Sequence, residues 1–99
     1  MNRPNAFAQR LIQGDTAIRE NFGIEVLSAD AGHSELALVV TDAWVNAAGF
    51  THGSVAYAMM DSACAYACGS LDVLGLTTSG NVTYAVSYTH LTLPTIYSV

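Results

Sequence analysis

Between His52 and Ser70 the chain reads HGSVAYAMMDSACAYACGS, and Asp61 is the one formal charge in that stretch. Alanines at 56, 58, 63, 65 and 67 surround it, the make-up of a helix wrapped closely by other structure. An unpaired carboxylate in such a setting costs several kcal/mol unless it is hydrogen-bonded or protonated. Folding alone gives little reason to keep Asp61, so it is the first candidate for chemistry; the bland alternative is a structural carboxylate bonded to backbone amides. His52, at the start of the helix, reads more readily as a cap or an orienting partner than as a proton carrier. Asn46 suits a loop turn or cap as well as it suits substrate contact.

Other reactive side chains carry less. Cys64 and Cys68 sit four apart on one helical face, a poor disulfide geometry, with no further cysteine to pair with. They read as reduced core thiols, and no nearby base favours them as nucleophiles. Tyr57, Tyr66, Met59 and Met60 read as packing residues. His33 and His52 lie in no ligand spacing with the cysteines, so neither a metal site nor another cofactor is expected.

The elements that would position these residues follow from changes of period. Asn5 to Gln13 carries Phe7, Ala8, Leu11 and Ile12 as a helical stripe ended by Gly14. A second short helix, capped by Asp15 or Thr16, runs to Asn21. Ile24–Ala29 and Ser34–Thr41 read as strands joined by a turn at Asp30-Ala31-Gly32, an antiparallel hairpin with Leu36, Leu38 and Val40 on one face. Asp42 to Thr51 is a loop leading into a helix over Gly53 to about Cys68, with Gly69-Ser70 as its stop. Leu71 to Leu76 is a connection, and Thr77 to Val86 reads as a further strand. Strand pair, helix and strand make an α+β class with antiparallel sheet over one long helix.

Taken together, Asn46, His52-Gly53 six residues on, Asp61 nine after His52, and then SACAYAC resemble the active-site region of the hotdog-fold thioesterases, specifically the PaaI-like acyl-CoA thioesterases. The likeness spans about Phe22 to Val86, including the GIEV and NVTY segments. It implies a hotdog fold and hydrolysis of an acyl-CoA thioester, with an aromatic acyl group by analogy. By the same resemblance Asp61 acts as general base on water or as nucleophile at the thioester carbonyl, and the Gly53 amide as oxyanion donor. Asn46 then places water or substrate, His52 contacts substrate, and a hydroxyl from Thr77, or alternatively Thr78 or Ser79, completes the set. Helix N-terminal amides do stabilise developing negative charge, which agrees with the glycine's role. Ser54 departs from the family's HGG, and no basic residue follows Arg19 to meet CoA phosphates. The alternative reading is a catalytically silent hotdog module that binds acyl-CoA or only oligomerises; a hotdog dehydratase would place its histidine differently.

On one helix, His52 and Asp61 stand roughly 13 Å apart along the axis and about half a turn around it. A site that uses both the Gly53 amide and Asp61 therefore needs two copies of the chain. Composition points the same way: 99 residues at 52% hydrophobic and 11% charged make one small domain whose apolar surface favours a homodimer or homotetramer. Eight acids against three arginines, with no lysine and a net charge of -5, disfavour nucleic acid. No apolar run approaches membrane-spanning length and the N-terminus lacks a leader's pattern, so the expectation is a cytoplasmic protein without membrane contact.

Val86 to Thr95, VSYTHLTLPT, resembles one reading frame of a transposase-adapter sequence used in preparing sequencing libraries. The resemblance divides the chain into a partial, C-terminally truncated hotdog domain over 1–86 and a non-native tail over 87–99. A genuine strand broken at Pro94 is the alternative.

Overall fold

A computed structural model describes residues 5–80 and 94–98. Two short helices, α1 (Ala6–Gly14) and α2 (Thr16–Phe22), precede the strands β1 (Ile24–Asp30) and β2 (His33–Val39). A single 3-10 turn (Asp42–Trp44) leads towards the long helix α3 (Ser54–Gly69), and β3 (Pro94–Ser98) closes the order. Asn5 caps α1 by accepting the Ala8 amide at 2.8 Å. Gly14 does not stop that helix but forms its last residue. Gly23 ends α2 in the left-handed conformation, at φ 75°.

The sheet is antiparallel in the order β1-β2-β3. β2 turns Ser34, Leu36 and Leu38 inward, and Val40 beyond its end is buried with them. β1 breaks strict alternation, because Ile24 and Ala29 are both buried although they differ in parity. A register shift between Val26 and Ser28 explains it: the extra residue, Leu27, moves the inward face from even to odd positions.

The hairpin turn places Ala31 at φ 52° and Gly32 at φ 79°. Two successive positive φ values suit Asn-Gly, and the Cβ of Ala31 costs roughly 1 kcal/mol there. Ala31→Asn or Ala31→Gly is therefore expected to stabilise the fold by about 0.5–1 kcal/mol, read as a higher denaturant midpoint at unchanged slope.

One face of α3 supplies Val55, Met59, Ala63 and Tyr66 to a core completed by Ile24, Ala29, Leu36, Leu38 and Val40. Buried Ser34 donates its hydroxyl to the Ala63 carbonyl, which ties β2 to the helix. At the far end the Ser70 hydroxyl accepts the Gly32 amide at 2.8 Å and donates to the Ala67 carbonyl at 2.7 Å, while Asn5 Nδ2 donates to the Ser70 carbonyl at 2.8 Å. Turn, helix end and α1 are thereby joined in one place.

The wrapping expected around α3 is incomplete: Ser54, Tyr57, Asp61 and Cys64 form an exposed stripe opposite the core face. Alanines and other small residues surround the helix on every side, so the sequence offers little contrast between its two faces. Cys64 is accordingly an exposed thiol and Cys68 a half-buried one, rather than two core residues.

Residues 77–80, the start of the expected strand 77–86, have no strand pairing, and 81–86 lie outside the described residues. The division between 86 and 87 lies outside them as well. Within the segment after it, Pro94–Ser98 pairs with β2 from Val39↔Pro94 to Glu35↔Ser98, so this part joins the sheet instead of standing apart from it. Pro94 opens the strand, a position where its missing N–H does little harm, so it does not act as a break. Deleting 87–99 separates the two views of the segment. Pairing along β2 predicts a loss of more than about 1 kcal/mol in denaturant unfolding, whereas a tail foreign to the domain predicts none.

Candidate active site

Two groups of sequence-selected residues emerge, one at the start of α3 and one beside the first half of its exposed face. The first is built by the loop between the 3-10 turn and the helix. Trp44 stacks on Phe22 with ring centroids 4.5 Å apart and planes within 9°, which anchors the loop to the end of α2. Beyond it the chain doubles back. Val45 bridges Thr51, the Asn46 amide donates to the Phe50 carbonyl at 2.7 Å, and the His52 amide donates to the Trp44 carbonyl at 2.6 Å. The Asn46 side chain closes this turn, its Oδ1 accepting the amides of Ala48 at 3.0 Å and Phe50 at 3.1 Å. Gly49, at φ 86°, takes the left-handed position that the doubling requires.

That turn delivers His52 and Gly53 to the start of α3. Nδ1 of His52 accepts the Ser54 amide at 3.0 Å and lies 2.8 Å from the Ser54 hydroxyl. An acceptor at Nδ1 makes the neutral ring the Nε2–H tautomer and leaves His52 as the side-chain cap of the first turn. The Val55 amide returns to the His52 carbonyl at 3.1 Å. Gly53 is thus held in helical conformation, at φ -61° and ψ -24°.

The second group surrounds a cavity of about 400 Å³ between α3 and the chain that follows it. Tyr57, Ala58 and Asp61 line it from the helix, and Thr77, Thr78, Ser79 and Gly80 from the other side. Asp61 and Thr77 therefore share one cavity, along with both of the alternative hydroxyl residues. Asn46, His52 and Gly53 are not part of its lining. Asp61 is exposed in this chain, so the buried and costly carboxylate suggested by its alanine-rich surroundings is not its state here. A carboxylate facing hydroxyls in an open cavity can orient water and take its proton.

Tyr57 joins this group although its sequence reading is packing. The residue is 46% exposed, and its position four residues before Asp61 is the signal that could have placed it beside the carboxylate. Tyr66, on the opposite side of the helix, is a packing residue: it is fully buried and its hydroxyl donates to Asp15 Oδ2 at 2.8 Å. Burial first, and then the bond to the Asp15 carboxylate, hold its phenol well above the ordinary range. Among the described residues no group of three or more His, Cys, Asp or Glu could hold a metal ion, and no helix is long and apolar enough to cross a membrane.

A mixed α/β chain with antiparallel sheet packed on one long helix has solved counterparts. The E. coli PaaI protein from the phenylacetic acid degradation operon superposes with a TM-score of 0.81 at 20% identity, over 92% of this chain and 69% of that one. Conserved protein PA5202 from Pseudomonas aeruginosa superposes with a TM-score of 0.67 at 25% identity, over 73% of this chain and 60% of that one. The chain shares their fold. No family model and no curated protein matches it.

Proposed function

We propose that this chain is a hotdog-type acyl-CoA thioesterase with Asp61 as its catalytic carboxylate. The observation that carries the reading is the cavity in which Asp61 faces Thr77, Thr78 and Ser79 on a helix exposed along one side, in a fold shared with the PaaI protein. Asp61 takes a proton from water while the water oxygen bonds to the thioester carbonyl carbon. The tetrahedral oxyanion then collapses, the carbon–sulfur bond breaks, and the proton on Asp61 passes to the departing thiolate. In the nucleophilic variant Asp61 itself attacks, and water cleaves the resulting anhydride.

The Gly53 amide serves as the oxyanion donor, from a second copy of the chain. Gly53 and Asp61 are eight positions apart, roughly 12 Å along the helix, too far for one thioester carbon to meet both in one subunit. A homodimer or higher homo-oligomer is further supported by Leu71, Val73, Leu74 and Leu76, which are 51–80% exposed beside the cavity's 77–80 wall. Asn46 and His52 contribute by shaping the loop and first helical turn that carry that amide, and a hydroxyl at Thr77, Thr78 or Ser79 binds substrate. The operon of the PaaI protein favours an aromatic acyl group. The reading is tested by thiol release from a panel running from acetyl- to phenylacetyl- and decanoyl-CoA; a panel without a substrate contradicts it.

A further inference from the structure

We infer that Tyr57 is the residue that limits the size of the acyl group the cavity accepts, an inference that rests on the acyl-thioester reading of that cavity. Three observations carry it. Tyr57 and Asp61 are four residues apart on α3, so their side chains are neighbours on one face, and Tyr57 lies on the helix's N-terminal side of the carboxylate. Across the cavity, a Cβ built on Gly80 would lie 3.6 Å from Cε1 of the Tyr57 ring, so the ring reaches from the helix to the opposite chain and closes the cavity at that end. Ala58, with its single methyl, is the third helix residue in the described lining.

Among the described residues, Tyr57 bounds the cavity of about 400 Å³ there, and it is itself 46% exposed. Truncating it removes a wall rather than a piece of the core, so the fold should survive. The ring is apolar except at its hydroxyl and the neighbouring charge is the Asp61 carboxylate, so the group that meets this wall is an uncharged acyl chain. A terminal carboxylate would meet Asp61 without any cation in the described lining to offset it.

The experiment separates binding from turnover by using Asp61→Asn as the background and titrating acetyl-, hexanoyl- and decanoyl-CoA calorimetrically. Adding Tyr57→Ala should raise the affinity for decanoyl- relative to acetyl-CoA by about tenfold or more, while Tyr57→Phe, which keeps the wall, should leave the ratio unchanged. An unchanged ratio in the Ala variant overturns the inference, as does binding of none of the three by either protein. If the ratio shifts but the parent chain releases no thiol from any of them, the size limit stands and the hydrolytic reading fails.

Discussion

Replacing Asp61 with Asn is expected to lower the rate of acyl-CoA hydrolysis by roughly 10²-fold or more, the scale of a lost general base. Asn keeps the volume of the side chain and its capacity to accept hydrogen bonds from neighbouring groups, but it cannot take a proton from water. Asp61 lies on the exposed stripe of α3 and lines an open cavity, so the same change should move the unfolding free energy by no more than about 0.5 kcal/mol. A structural carboxylate predicts the opposite pattern, with lost stability and retained activity per folded molecule. Steady-state thiol release and denaturant unfolding on the same preparation distinguish the two.

Tyr66 carries the largest expected effect on stability. Among the described residues it is the bulkiest fully buried side chain, and its removal as Tyr66→Ala should cost about 3–5 kcal/mol, since the core around Leu36 and Met59 cannot close over a lost ring. Tyr66→Phe should cost only about 1 kcal/mol, the scale of the hydrogen bond to Asp15. Alkaline pH separates them further. The folded state holds the phenol above its ordinary value of 10.0, so its contribution is fully present below pH 10.0. Above that the unfolded chain loses a proton that the native one keeps, and stability should fall by about 1.4 kcal/mol per pH unit. The Phe variant should lack this component of the alkaline loss, as measured by unfolding at pH 9 to about 11.

The hairpin and the long helix were legible because each rests on a strong local signal. The hairpin follows from alternation through Leu36, Leu38 and Val40, and the long helix from an unbroken run without proline between Gly53 and Ser70. What escaped depends on pairings that no local pattern encodes. The bulge at Leu27 leaves β1 short of a clean period, and the doubling of 44–52 rests on backbone bonds from Asn46 to Phe50 and from His52 to Trp44, in a stretch of mixed composition. The faces of α3 could not be told apart because alanine is equally suited to both. Tyr57 therefore read as packing and Cys64 as core, though both lie on the open side. Nor could spacing alone bring Thr77 to Asp61: the connection after Ser70 returns along the helix, a tertiary fact that joins residues sixteen apart.

The proposed reaction is hydrolysis of acyl thioesters in the Asp61 cavity. Its most direct test is the release of free CoA thiol from phenylacetyl- and hexanoyl-CoA, measured side by side for the parent chain and for Asp61→Asn at equal folded concentration. Release by the parent is expected to be saturable and to exceed the variant's by roughly 10²-fold on at least one of the two substrates. Equal rates for the two proteins, or no release by either, would contradict it.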